Sequence, residues 1–279
     1  GLSVTNKIRV AIVQQWFTHY RVPVYKTLAS HPCIDLTLIH GETPVKSEIS
    51  VLTNVDKSMP FRVVQGKINK LNFFGKELLW HKPSINLLKS ERYDVVIHQF
   101  ETKFASIWRT YTIQRARGGK FILWGIGASL QPTPLTDRVR CFLARRADAV
   151  VFYAEANRKR FIKMGLPSRK MFIARNSIDL TPIDLAVSKW PIDKLNDFRR
   201  EKNLQDTHVI LTVGALVERK KLEVLLQSTK QLLLEHPRIK LIIIGDGPQK
   251  KSLQKNTELL GIRKYVDFLG KITEEEKLA

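Results

Sequence analysis

The chain alternates between short apolar runs and stretches in which apolar residues recur every three or four positions. Ile8 to Val13 is a β-branched run. It is followed at Tyr20 to Ala29 by a stretch with Val24, Tyr25 and Leu28 at helical spacing, and then by a second apolar run, Ile34 to Ile39. A strand, a helix and a strand in that order form the unit from which parallel sheets are built. Further strands are predicted at Val95 to His98, Lys120 to Trp124, Ala149 to Tyr153 and Met171 to Ala174. Helical faces lie between them: Phe104, Ile107, Trp108 and Tyr111 on one, Val139, Phe142, Leu143 and Arg146 on another. These strands are apolar throughout rather than at alternate positions, so both faces of their sheet must be covered. That is the condition of a doubly wound α/β fold.

Residues 180–207, with two prolines and mixed charge before a helix-like end, break the pattern and read as a connection between domains. The pattern restarts at His208 with strand, helix, strand, helix, strand, and a helix start at Thr273. Leu222, Leu225, Leu226, Thr229, Leu232 and Leu233 form one apolar stripe along its first helix. The expected organisation is a Rossmann-like domain over 1–179, a connection over 180–207, and a second, incomplete Rossmann-like domain over 208–279, because only three strands precede the end at Ala279.

Composition narrows the class. Apolar residues make up 43% of the 279 positions, enough for a core and against disorder. No run is long enough for a membrane span, and the first strand lacks the features of a signal peptide. Cys33 and Cys141 are far apart and form no metal or disulfide pattern, which fits a reducing, cytoplasmic setting. The formal net charge of +21 points to an anionic partner: nucleic acid, a nucleotide diphosphate, a phosphorylated lipid or an anionic membrane. Basic residues exceed acidic ones by 18 to 8 over 1–120, 16 to 9 over 121–207 and 13 to 9 over 208–279, so the excess lies mainly in the first two-thirds. Specific nucleic-acid binding is disfavoured, since no recognition motif accompanies the charge.

In open α/β sheets, ligands bind beyond the carboxyl ends of the strands. Gly214 and the triplet Gly245, Asp246 and Gly247 sit at such ends, where a missing side chain lets backbone approach a phosphate or a base. Lys220 follows the first strand of the second domain at a predicted helix start, a suitable place for a cation facing a diphosphate. In the first domain His19, Tyr20 and Arg21 follow the first strand, and His98, Glu101 and Lys103 cluster after another.

The ordered set VGALVERKKLEVLL, LIIIGDGPQKKSL and VDFLGKI, with ARNSID at 174–179, resembles the retaining GT-B glycosyltransferases of family four, the group 1 glycosyl transferases. The resemblance implies transfer of a sugar, with retention, from a nucleotide-sugar to a polysaccharide, lipid-linked or other glycan acceptor. It requires no cofactor, and no Asp-x-Asp metal motif is present. By resemblance Lys220 is the diphosphate lysine, Gly270, Lys271 and Ile272 form the loop that reads the base, and Arg219 substitutes in part for the arginine that Ala215 replaces. Lys220, Arg21 and His98 are the expected catalytic residues, and His19, Tyr20, Arg21 and Glu101 the acceptor side.

Three departures are evident. Ala215 replaces the family's arginine, Ile126 stands where many relatives have histidine, and the family's glutamate pair is expected beyond Ala279. The last implies weak catalysis by this chain alone. Exposed apolar faces of an incomplete second domain would favour a homodimer. A second reading therefore stays open at this stage: a non-catalytic relative that binds a nucleotide, an acceptor or a partner. Peripheral attachment to the inner face of the plasma membrane is expected from Lys67, Lys70, Phe73, Phe74, Lys76, Trp80 and Lys82, with Arg138, Arg140, Arg145 and Arg146 on a neighbouring helix.

Overall fold

The computed structural model describes residues 7–42, 59–73, 76–128 and 133–272, and divides the chain into two compact units, Gly1–Ile178 and Asp179–Ala279. The helix start expected at Thr273 lies outside the described residues. No described helix is long and apolar enough to cross a membrane.

The first unit runs β1 (Ile8–Gln14), α1 (Val22–Ser30), β2 (Ile34–Gly41), β3 (Arg62–Gly66), β4 (Asn69–Phe73), β5 (Lys76–Trp80), α2 (Lys82–Ser90), β6 (Val95–Gln99), α3 (Ile107–Ala116), β7 (Lys120–Gly125), α4 (Pro134–Arg146), β8 (Ala149–Phe152), α5 (Glu155–Lys163) and β9 (Met171–Ile173). Seven of these strands form a parallel sheet in the order β3-β2-β1-β6-β7-β8-β9. The β1 strand shows why its sequence is apolar at every position. Val10 and Ile12 are buried on one face with Tyr25, Leu36 and Leu38, while Ala11 and Val13 are buried on the other with Leu88, Val96 and Ile107. The chain builds outward from β1 through β2 to β3, returns, and builds the other way from β6. The order thus reverses between β1 and β6, which opens a crevice at their carboxyl ends.

Local chemistry sets the helix starts. Pro23 opens α1, where its lacking N–H costs nothing. Thr133 and Thr136 cap each other reciprocally at the start of α4. The β3 strand, the antiparallel β4–β5 hairpin and α2 were not expected from the sequence pattern. At α2 the start is set by the buried His81 ring, which accepts from the Ser84 N–H at 3.3 Å.

The second unit begins with α6 (Thr181–Ser188) and α7 (Ile192–Glu201), so most of the segment read as a connection is helical. It continues through β10 (His208–Val213), α8 (Leu222–Glu235), β11 (Ile239–Ile244), α9 (Lys250–Leu259) and β12 (Val266–Gly270). The three strands form a parallel sheet in that order, covered by Leu222 and Leu226 of α8 and Leu253 of α9. Five of the six stripe residues on α8 are buried or packed against this core, and Leu232 is exposed. On β10, Val209, Leu211 and Val213 are exposed.

Candidate functional site

The crevice at the reversal of strand order in the first unit is a cavity of about 500 Å³, within the size range of small-ligand sites. Its wall comes from the loops after β1 (Gln14, Gln15, Thr18, Tyr20, Arg21), β6 (Gln99, Glu101, Lys103), β7 (Gly125, Ile126) and β8 (Tyr153), with Arg140 and Asn176. The Gln99 side chain ties two of these loops together. Its Oε1 accepts from the Gln15 N–H at 2.8 Å, and its Nε2 donates to Glu101 at 2.5 Å. Glu101 also pairs with Lys103 at 2.6 Å, so its charge is matched locally.

Arg21 is the least ordinary residue of this wall. Its guanidinium packs against three aromatic rings, with the carbon 4.9 Å from the Trp124 ring centre, 5.3 Å from Tyr153 and 5.8 Å from Tyr20. Such contacts favour a cation by roughly 0.5–2 kcal/mol each. Its Nη2 donates to the Tyr153 hydroxyl. Burial pushes the Tyr153 phenol up, which keeps that partner neutral. Among the described residues no carboxylate pairs with Arg21, and its Nη1 is buried without a hydrogen-bond partner.

Of the residues expected on the acceptor side, Tyr20, Arg21 and Glu101 line the cavity together. His19 is not in the wall and packs edge-on to Tyr20, with ring centres 6.2 Å apart. The catalytic expectation for His98 is corrected. Its ring is 0% exposed, packed on Phe104 and Phe121, and its Nδ1–H donates to the Gln99 carbonyl at 2.8 Å. Burial lowers its pKa to about 3, so it is a neutral core residue with no access to substrate. Arg140 is likewise not a membrane-facing charge: it is 5% exposed and bound to Asp137 at 2.9 Å, which also holds Arg160 at 2.6 Å. Phe74 and the side chain of Lys76 lie outside the described residues. Thr18, Gln99, Trp124 and Tyr153 had not been singled out; Gln99 ends β6 and Tyr153 follows β8, so strand-end position was the signal available.

In the second unit the three expected loops meet at the carboxyl edge of the sheet. Gly214 N–H donates to the Ile244 carbonyl at 2.9 Å, Gly245 N–H to Gly270 at 2.7 Å, and Leu216 N–H to Asp246 at 3.0 Å. The approach is so close that a Cβ on Gly245 would fall 1.8 Å from the Gly214 carbonyl oxygen, and one on Gly247 would fall 2.4 Å from that of Leu216. These two glycines are therefore required by contact between loops, in addition to any ligand. At Gly214 the space for a Cβ is open. The Asp246 carboxylate accepts from the Gly247 N–H at 2.8 Å and from Lys250 at 3.3 Å, and these bonds hold it below the usual carboxylate range. Lys220 ends a 3-10 turn, Glu218–Lys220, just before α8 rather than lying within it, and is exposed, as are Arg219 and Lys271. Ile272 is half-buried beside Lys271.

Residues 193–279 match the model of the family described as glycosyl transferases group 1. The chain is 29% identical over 136 residues to a protein of Methanocaldococcus jannaschii named an uncharacterised glycosyltransferase; the alignment covers 46% of this chain and 31% of that one. It is 27% identical over 153 residues to the GDP-mannose-dependent alpha-(1-6)-phosphatidylinositol monomannoside mannosyltransferase of Mycolicibacterium smegmatis, over 54% of this chain and 38% of that protein. The matches thus span about a third of the length of these curated relatives. Among solved structures, a glycosyltransferase from Rickettsia africae superposes with a TM-score of 0.66 at 12% identity, over 98% of this chain and 70% of that one. The Anabaena protein HepE, crystallised with UDP and glucose, gives 0.61 at 15% identity, over 95% and 70%. At these identities the likeness is one of fold, and it is the GT-B fold expected from the sequence.

Proposed function

We propose that this chain carries the donor-binding and acceptor-binding parts of a metal-independent glycosyltransferase that moves a hexosyl group from a nucleotide-sugar to a glycan or lipid-linked acceptor with retention. The observation that carries this reading is the convergence of the Gly214, Gly245–Gly247 and Gly270 loops at one sheet edge, within and beside a stretch that matches the group 1 family model. Half-buried glycine loops at that edge, with the exposed Lys220 and Arg219 close by in sequence, suit a nucleoside diphosphate. The first-unit cavity, with Tyr20, Arg21 and Glu101, is assigned to the acceptor.

In the reaction, the bond from the anomeric carbon to the diphosphate oxygen breaks and a bond to the acceptor oxygen forms on the same face. The acceptor proton passes to the departing phosphate, so no enzyme base is required. The residues of this chain supply orientation and positive charge toward that phosphate, chiefly Lys220. The Mycolicibacterium smegmatis relative is named as GDP-mannose-dependent, and HepE was crystallised with UDP and glucose, so both nucleotides are tested.

The test is titration of UDP, GDP and their sugars into the wild-type chain and Lys220→Ala. Loss of one charge-assisted phosphate contact, about 1.5–3 kcal/mol, weakens affinity at least tenfold. Unchanged affinity removes Lys220 from the site, and no binding of either nucleotide by the wild type overturns the donor assignment. Ala215, in place of the family's arginine, favours the second reading, a binding protein without turnover. Nucleotide binding with no sugar transfer or donor hydrolysis would select it. Attachment of the first unit to an anionic membrane is part of the proposal, carried by Arg138, Arg145 and Arg146 beside the exposed Leu135 and Phe142 on α4.

A further inference from the structure

The cavity wall of the first unit has more hydrogen-bond donors than it has acceptors to receive them. Buried and without partners are Nη1 of Arg21, Nε2 of Gln14, Oγ1 of Thr18, the hydroxyl of Tyr25, which interacts with Arg21, and Nε1 of Trp124, whose ring centre is 4.9 Å from the Arg21 guanidinium carbon. The first three belong to residues of the wall, and Gln14 and Thr18 are only 4% and 6% exposed. Three of the five atoms can only donate, and the two hydroxyls donate as readily as they accept. Buried polar groups almost always find partners, so a cluster of unmatched donors calls for an acceptor that the described residues do not supply.

The charges agree. Arg21 has a neutral phenol as its partner and no carboxylate among the described residues. Glu101, the carboxylate in the wall, is taken up by Lys103 and Gln99. Arg140 shares Asp137 with Arg160, which leaves one positive charge over. A half-buried cation is costly unless it is paired, and an oxyanion in the cavity supplies both the missing charge and the missing acceptors.

We infer that the acceptor is anionic: the cavity seats a phosphate or carboxylate group borne by the acceptor sugar or its carrier, with Arg21 as the ion-pairing residue and Gln14 and Thr18 as further donors. This rests on assigning the first unit to the acceptor. It goes beyond that assignment by naming the acceptor's charge and the residues that select it. The residues that line the site all belong to the first unit.

The probes are inorganic phosphate, glucose 1-phosphate, glucuronate and neutral methyl glucoside, titrated into the whole chain by calorimetry and thermal shift. The proteins are wild type, Arg21→Met, Gln14→Ala and Lys220→Ala. The wild type should bind glucose 1-phosphate or glucuronate at least tenfold more tightly than methyl glucoside; the stronger of the two tells phosphate from carboxylate. Binding should fall at least tenfold in Arg21→Met, fall less in Gln14→Ala, and persist in Lys220→Ala. Arg21→Met also removes the Tyr153 hydrogen bond and the ring contacts, so its melting temperature without ligand is read together with its anion affinity and does not by itself decide the point. A drop in melting temperature together with unchanged anion affinity would make Arg21 a structural residue and overturn the inference. Equal affinity for charged and neutral sugars, or displacement of the anion by UDP or GDP, overturns it too, the latter by giving the site to the donor's diphosphate. Failure of the glycosyltransferase reading looks different: no nucleotide binds, while Arg21-dependent anion binding remains.

Discussion

Replacement of Gly245 by alanine tests whether the second unit's site is held together by contact between its own loops. The new Cβ would lie 1.8 Å from the Gly214 carbonyl oxygen, where 3.0 Å is the practical minimum, so the two strand ends must part by about 1.2 Å. That movement strains the bonds from Gly214 N–H to Ile244 at 2.9 Å and from Gly245 N–H to Gly270 at 2.7 Å. Each is worth about 0.5–1.5 kcal/mol net. The φ of +140° at Gly245 adds about 1–3 kcal/mol for any residue with a side chain. The expected cost is on the order of 2–6 kcal/mol, confined to the second unit. Because the chain has two units, a single melting curve does not isolate it, and amide hydrogen exchange of peptides from residues 208–272 is the suitable assay. Gly214→Ala is the comparison: it shares the strain of a positive φ, at +157°, but no atom lies within 4 Å of its Cβ, so protection should fall less than in Gly245→Ala, while nucleotide affinity falls if a phosphate approaches there. Equal loss of protection in the two variants would refute the reasoning, since both carry a positive φ and the close contact is made at Gly245.

Two further outcomes are expected. Burial lowers the pKa of His81 to about 4 and of His98 to about 3, so between those values and about 6.5 the unfolded chain binds protons that the folded one does not. Stability should fall as pH drops below about 6.5, with a slope approaching 1.4 kcal/mol per pH unit for each histidine; urea midpoints that stay flat from pH 6.5 to 5 would contradict it. Vesicles rich in anionic lipid should sediment the wild type, and replacing Arg138, Arg145 and Arg146 with glutamine should lower binding by roughly a hundredfold at about 1 kcal/mol per residue; equal binding to neutral and anionic vesicles excludes the attachment.

Apart from β3, the strands of both parallel sheets were legible because burial on two faces leaves a continuous apolar run, as in Ile8 to Val13 and Leu241 to Ile244. The β3 strand and the hairpin gave no such signal. In β3 exposed Arg62 and Gln65 interrupt half-buried Val63 and Val64, and every residue of β4 is exposed. What orders the hairpin is pairing across it, including Lys70 with Glu77 at 2.9 Å, a relation between residues rather than a periodicity. Residues 180–207 misled for the opposite reason: Pro182 and Pro191 were read as breaks, yet Pro182 lies in the first turn of α6 and Pro191 just precedes α7, places where proline suits a helix.

The site divided along a similar line. Glycine and lysine positions in the second unit were readable because their spacing follows from the order of strands and loops, although the role of Gly245 was not: what comes close to it is the Gly214 carbonyl. In the first unit, His98 attracted attention as a titratable residue near a strand end, but alternation along β6 turns its ring into the core with Phe104 and Phe121. Arg21 stood at the same kind of strand end and remained in the wall. What separates the two is their surroundings in three dimensions: His98 is enclosed by aromatic rings and keeps a neutral charge, whereas Arg21 keeps its charge, faces phenols and no carboxylate among the described residues, and leaves a donor unmet. Folding alone does not favour such an arrangement, since an apolar residue of similar volume would pack there without an unpaired cation. Violations of this kind concentrate where a structure is built for something it does not itself contain.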